Sequence, residues 1–334
     1  MSSALVRIGL LGLGRAGNFH LQSLRAIETT RLVSVYDIDQ NRAQKVAARF
    51  GCDAADSPHK LIERTDVDAV IVATPTDSHY PYVQQCLNQC KPVLTEKPLG
   101  RELAQIDDCF RLAESNDTPL FVAFQRRFDP SFASLVQAIR SGELGQLHYV
   151  RSVSRDNPIP SPDYIRTSGG IFHDCMVHDL DMVVHIIGEH PEHVSAFGSS
   201  FIPEIGKLDD FDNVVATLAF PNGVTASIDI NRQSAYGYDQ RIEAFGEHGM
   251  LLADNHHPTS VTRASQRGFA RPQAEFSFPT RYRDAYRIEL EQFAQCALGE
   301  CEVPITHTDV RTNHLLANQV EQAAREKRVI AVKL

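Results

Sequence analysis

The run VRIGLLGLGRAG, residues 6–17, restricts the fold of this chain more than any other stretch. A short apolar strand leads into Gly12-Leu-Gly14-Arg-Ala-Gly17, and a helical segment follows. GxGxxG spacing alone arises by chance in loops. Between a strand and a helix it has the context of a dinucleotide-binding turn. Gly12 permits the tight turn, Gly14 lets a pyrophosphate approach the backbone, and Gly17 lets the helix pack on the strand. The helix N-terminus then faces the phosphates. Asp37 closes the second strand, 20 residues after Gly17. A carboxylate there accepts hydrogen bonds from ribose hydroxyls and repels a 2′-phosphate, which favours NAD over NADP. Arg42, just beyond, could hold such a phosphate, but it reads first as a solvated helix residue.

Further strand-like runs follow at 31–37, 68–74, 92–97 and 119–124, with helical stretches at 15–28, 40–49, 78–90 and 102–116. The strands are apolar on both parities, as strands covered on both faces of a parallel sheet are. The alternation predicts an α/β fold, an N-terminal Rossmann domain with a doubly wound parallel sheet over residues 1–124. From residue 125 the texture changes. VTASIDIN alternates, with Val224, Ala226, Ile228 and Ile230 on one face and Thr225, Ser227, Asp229 and Asn231 on the other. Asn222-Gly223 marks a hairpin before it. Residues 125–334 therefore read as an α+β domain with an open, mainly antiparallel sheet and helices on one side.

Chemistry gathers at the expected carboxyl ends of the first sheet, where ligands of such folds bind. Pro75 stops the fourth strand, and Thr74, Ser78 and His79 lie around it. Glu96-Lys97-Pro98 ends the fifth, with Pro98 biasing Lys97 toward an extended conformation. Candidate cofactor contacts are Gly12, Gly14, Arg15, Ala16, Gly17, Asp37, Ile38, Thr74, Pro75, Ser78, His79, Glu96, Lys97 and Gln125.

A second cluster lies in SGGIFHDCMVHDLD, residues 168–181. On a helix from about 171 to 187, at about 100° per residue, Met176, Leu180, Val183, Val184 and Ile187 share one face. Asp174, His178, Asp181 and His185 fall opposite, within roughly 60° of arc. A solvated face would be wider and richer in Lys and Glu. Removing hydride from an alcohol carbon also requires a base for the hydroxyl proton, and histidine suits that role. Asp174, one turn earlier, can fix the ring's tautomer, and Lys97 can stabilise alkoxide charge. The competing interpretation is a structural Asp–His pair. No third residue at ligand spacing supports a metal, here or at Cys86 and Cys90.

These pieces together resemble the Gfo/Idh/MocA oxidoreductase family: GLGRAG, Asp37, ATPTDSH, EKP and GGIFHDCMVHDLD. The resemblance spans almost the whole chain and implies that Lys97, Asp174 and His178 form the catalytic triad. FQRRFDP (124–130), SRDNPIPSPDYI (154–165) and YGYDQRIEAFGEHGML (236–251) are similar to the inositol 2-dehydrogenase subgroup. That implies NAD-dependent oxidation of myo-inositol to 2-keto-inositol, with Arg127, Asp156, Asn157, Tyr236 and Tyr238 joining Lys97, Asp174 and His178 around a cyclitol or sugar. It also implies a homodimer or homotetramer. Met176 departs from the Gly or Thr common in relatives; its helical position points it into the core.

A net charge of -9 without a basic cluster speaks against nucleic-acid and anionic-membrane partners. No apolar run reaches the length of a membrane span, and the N-terminus lacks a leader's basic region. That strand-like start reads as the first strand of a cytoplasmic protein, and seven cysteines without pattern argue against a disulfide framework. Other readings are a catalytically silent sugar or dinucleotide sensor, and a glycosidase using transient oxidation.

Overall fold

The computed structural model describes residues 5–334. Residues 1–4, part of the segment considered above as a leader, lie outside the described residues. The chain opens with β1 (Val6–Leu11), α1 (Arg15–Ala26), β2 (Thr30–Tyr36), α2 (Gln40–Phe50), β3 (Asp53–Ala54) and α3 (Pro58–Ile62). β4 (Ala69–Val72), α4 (His79–Asn88), β5 (Val93–Glu96), α5 (Leu103–Ser115) and β6 (Leu120–Ala123) follow. The six strands form one sheet in the order β3-β2-β1-β4-β5-β6, with every pairing parallel. The order reverses between β1 and β4, the switch point at which doubly wound sheets bind ligands. All four residues of β4 are fully buried, which is why its two parities are equally apolar.

The chain continues with α6 (Pro130–Arg140), β7 (Leu147–Arg155), α7 (Pro162–Ser168), a π turn at Phe172–Met176 and α8 (Val177–Ile187). β8 (His193–Ser199), α9 (Pro203–Gly206), β9 (Asn213–Ala219), β10 (Thr225–Asn231), β11 (Asp239–Gly246) and β12 (Gly249–Ala253) come next. A small hairpin of β13 (Arg263–Ser265) and β14 (Gly268–Ala270) precedes α10 (Phe278–Arg281), α11 (Arg283–Ala297), α12 (His307–Glu326) and β15 (Ile330–Ala331). The second sheet runs β12-β11-β7-β10-β9-β8-β15, and only β7 and β10 pair in parallel. In β10 the expected alternation holds: Ala226, Ile228 and Ile230 are buried, while their neighbours are not.

Two compact units emerge. One comprises the chain up to Phe128 with Arg283–Arg311; the other comprises Asp129–Tyr282 and Thr312–Leu334. The segment carrying α11, placed by sequence with the second half, packs with the first unit, its Phe293 against Phe121 of β6.

Three local features depart from the pattern reading. The helix expected over 171–187 contains the π turn, so Asp174 sits in a wider turn than α-helical spacing provides. α7 is absent from the helical stretches expected from sequence; Ser161 caps it, its hydroxyl accepting from Tyr164 N, and Pro162 starts it. α4 ends at Asn88, so Cys90 lies beyond the helix rather than on a shared face with Cys86.

Candidate active site

The glycine loop divides its labour as steric arguments require. Gly12 has φ +90°, and a Cβ there would lie 2.5 Å from the Ala73 carbonyl oxygen. A Cβ on Gly17 would lie 2.0 Å from Gly12 O. Gly14, by contrast, would meet nothing within 4 Å. The protein itself therefore gives no steric reason for glycine at position 14, whereas close approach of a pyrophosphate does. Asp37, 5% exposed, accepts from Leu13 N at 2.8 Å and Asp39 N at 2.8 Å, bracing the loop from beneath. The guanidinium of Arg42 turns toward Asp37 (3.4 Å). Arg15 and Ile38 are exposed, and Ala16 is half-buried. Gly14→Ala should leave the melting temperature unchanged and weaken NAD binding by about tenfold or more. Gly17→Ala should cost about 1–3 kcal/mol of stability through overpacking. Thermal melts and NAD titrations of both variants separate the two roles.

At the end of β4, the Ser78 hydroxyl lies 2.7 Å from both Thr74 Oγ1 and Pro75 O, so Thr74, Pro75 and Ser78 form one linked turn. His79 is 2% exposed, with ring nitrogens 2.8 Å from Pro98 O and 2.7 Å from Thr74 O. At the end of β5, Glu96 pairs with buried His20 at 2.9 Å. Lys97, half-buried, follows, and its peptide bond to Pro98 is cis. Gln125 is buried beyond β6. Arg127, in the same turn, pairs with Asp309 at 3.0 Å.

Glu289 of α11 is fully buried, and neither carboxylate oxygen has a hydrogen-bond partner among the described residues. Burial first, then the charge of Glu96, pushes its pKa well above the usual carboxylate range. The folded state thus retains a proton that the unfolded chain releases above about pH 4.3. This contribution to stability is present at low pH and is lost as pH rises through the folded-state value. Glu289→Gln cannot ionise, so its melting temperature should gain on the wild type progressively from pH 5 to pH 8. A constant offset across that range would contradict the assignment.

In the second unit, Asp174 is held by two donors, Tyr164 Oη at 2.8 Å and Arg232 Nη1 at 3.2 Å. Arg232 is 0% exposed, and its Nη2 reaches Asp210 at 3.2 Å. Asp210 in turn accepts from Ile171 N at 3.0 Å. Gly170, with φ +77°, leaves space for that carboxylate: a Cβ there would lie 3.1 Å from Asp210 Oδ1. Glycine at position 170 therefore makes room for Asp210. His178 is half-buried one turn beyond Asp174, and Met176 is fully buried, as its helical position requires. Asp181 is buried, and His185 faces Arg140.

Among the polyol candidates, Asn157 Nδ2 donates to Phe276 O at 2.8 Å, and Asn157 N to Asp156 Oδ1 at 2.8 Å. Tyr236 is exposed, donates to Asp239 at 2.5 Å and accepts from Arg155 at 2.8 Å. Tyr238 is 8% exposed and packs its ring near Phe278 and Tyr282, a core position.

Sequence reasoning missed Arg232, Tyr164, Asp210 and Asp179. A signal for Arg232 was present: extending the parity of Val224, Ala226, Ile228 and Ile230 by two residues places an arginine on the buried face. Asp179 falls beside Val183 on the helical wheel. It is fully buried and accepts from the hydroxyls of Ser152 and Ser154 of β7, both at 2.6 Å.

A six-stranded parallel sheet with a glycine turn at its switch point, joined to a separate mixed sheet, is the architecture of a two-domain nicotinamide-dependent oxidoreductase. Residues 6–124 match an oxidoreductase family with an NAD-binding Rossmann fold, and residues 132–252 match the GFO/IDH/MocA C-terminal domain. The chain belongs to the Gfo/Idh/MocA family and is an NAD-dependent oxidoreductase. It is 38% identical to the myo-inositol 2-dehydrogenase of Thermotoga maritima over 330 residues, 98% of this chain and 99% of that protein. The crystal structure of a myo-inositol dehydrogenase from Corynebacterium glutamicum matches with a TM-score of 0.93 at 33% identity, covering 99% of each chain. A scyllo-inositol dehydrogenase from Lactobacillus casei, solved with bound NAD(H) and scyllo-inositol, matches with a TM-score of 0.91 at 25% identity, covering 98% of this chain and 99% of that one.

Proposed function

We propose that this protein oxidises a ring hydroxyl of a cyclic polyol, with myo-inositol, giving 2-keto-inositol, as the leading substrate. Bound NAD supplies the hydride acceptor. His178 takes the hydroxyl proton, and Lys97 stabilises the negative charge that develops on the oxygen. Asp174 orients the imidazole and favours its charged form after proton uptake. Arg127, Asp156, Asn157 and Tyr236 are the polar groups offered to the remaining hydroxyls; Tyr238, from its core position, supports the wall behind them.

The observation that carries the reading is the built environment of Asp174. A fully buried arginine and a tyrosine hydroxyl both converge on its carboxylate. The one-turn spacing from Asp174 to His178 fits a carboxylate that serves a base. The similarity to named inositol dehydrogenases along the full chain supports the substrate class.

Formation of NADH, followed by absorbance with NAD and a panel of myo-inositol, scyllo-inositol, other cyclitols and aldoses, tests the proposal. Turnover should be highest with an inositol. NAD binding without turnover on any member would favour a sensor instead. Release of nitrophenol from a nitrophenyl glycoside would favour the oxidative glycosidase.

We also assign the exposed face of the second sheet to pairing with another copy of this chain. Phe197 faces its cross-strand partner Val215, and Met250, Phe245 and Tyr149 lie in register across three strands. Phe197 is 68% exposed and Met250 51%, so two separate apolar groups lie on the face that a second sheet would cover. Light scattering should give a dimer or tetramer, and Phe197→Glu should shift it toward monomer. No helix of the described residues is long and apolar enough to cross a membrane. The reading places the protein in the cytoplasm, where its seven cysteines stay reduced.

A further inference from the structure

His79 was considered above as a contact for the cofactor, yet its surroundings set a different problem. Both ring nitrogens lie at hydrogen-bond distance from carbonyl oxygens: Nδ1 is 2.8 Å from Pro98 O, and Nε2 is 2.7 Å from Thr74 O. A carbonyl only accepts. A neutral imidazole carries one N–H, so it can satisfy one of these oxygens and must turn a lone pair on the other. Two donors require the imidazolium. Rotating the ring by 180° does not change this count, because every bonded partner is an acceptor.

The charges around the ring are mixed. Burial is the largest influence and holds the imidazole pKa below its usual value, toward the neutral form; against it stands the bonding count, because a neutral ring cannot satisfy both carbonyls. The carbonyls of Pro98 and Thr74 and the charge of Glu96 push the other way, while Lys97 opposes them. Asp77, in the turn just before His79, also feels the ring's charge. Glu96 lies at the end of β5, where it also bonds His20. A cation at His79 would place positive charge near this buried carboxylate.

The two carbonyls belong to different segments. Thr74 follows β4, and Pro98 follows the lysine that ends β5. The ring at the start of α4 thus joins three pieces of the sheet's carboxyl edge. We propose that His79 is a positioning residue, held as an imidazolium that clamps the Thr74 turn to the Lys97–Pro98 turn and so fixes where the Lys97 ammonium is presented. The proposal rests on Lys97 serving the reaction described above; the protonation state itself does not. Loss of one proton would break one of the two bonds and release the lysine turn.

The test has a spectroscopic and a kinetic arm. In the intact protein labelled with ¹⁵N-histidine, a long-range ¹H–¹⁵N spectrum at pH 7 should show both His79 nitrogens at the shifts of protonated nitrogen. A His79→Gln variant identifies the resonances. One nitrogen at the shift of an unprotonated imidazole would overturn the proposal. In the kinetic arm, His79→Gln should lower kcat for the polyol by about 100-fold, the scale of a misplaced catalytic group. NAD affinity should change less than threefold. The wild-type decline of kcat at alkaline pH should follow the His79 titration seen in the spectra. An unaltered kcat and pH profile in the variant would also overturn the proposal. Should His79→Gln fold poorly, the wild-type spectrum and pH profile still decide. Failure of the functional reading looks different: the wild type would turn over no polyol, whatever the state of His79.

Discussion

A His178→Ala protein should turn over its polyol about 10²–10⁴-fold more slowly than the wild type, the range expected for loss of a general base. Its NAD affinity should stay within about twofold, because the glycine loop and Asp37 belong to the other compact unit. His178 is half-buried in α8, a helix already anchored by Asp179 on the serines of β7. Alanine is also the best helix former, so the fold should tolerate the change. Raising the pH should restore part of the lost rate, since hydroxide can then replace the missing base. Steady-state kinetics from pH 6 to pH 10, with NAD binding by calorimetry, measure both effects. Unchanged turnover would remove His178 from the mechanism, and lost NAD binding would point to a folding defect.

Arg232→Met should be the most damaging single change to stability. The arginine has no exposure and bridges two carboxylates, Asp174 and Asp210, whose side chains are each 9% exposed. Methionine fills similar volume but strands both charges. Removing one partner of a buried ion pair costs about 3–5 kcal/mol. The loss should shrink on acidification, because the stranded carboxylates can then take up protons. Arg232→Lys keeps the charge but loses the planar fork that reaches two acids, so it should fall between the two. Urea unfolding at pH 7.5 and pH 5 measures the effect. A midpoint unchanged at pH 7.5 would show that the buried bridge contributes nothing to stability. Activity adds a second readout, since Asp210 ties Ile171 N at the start of the turn that carries Asp174.

Much of the first unit was legible because its signals are local. A strand buried on both faces must be apolar at both parities, and a turn that brings Gly17 under Gly12 O admits no side chain. The elements missed there, β3 and α3, are 2 and 5 residues long, too short to set up a period. In the second unit the alternation of β10 was readable, but the step to Arg232 meant trusting the same parity with a charged residue. The π turn left no mark, because a single extra residue per turn changes the facing of side chains without changing composition.

The amino-acid order alone determined the doubly wound sheet, the glycine turn and the acid at the end of the second strand. Each depends on residues near one another in the chain, where sterics and periodicity act directly. Only the tertiary structure decided that Arg232 and Tyr164 hold Asp174, that His79 spans two carbonyls, and that Glu289 lies near Glu96 without a hydrogen-bond partner among the described residues. Those pairings join residues that lie from 5 positions apart (His79 and Thr74) to 193 apart (Glu289 and Glu96). Their energies come from burial and the removal of water, which do not exist until the chain has folded.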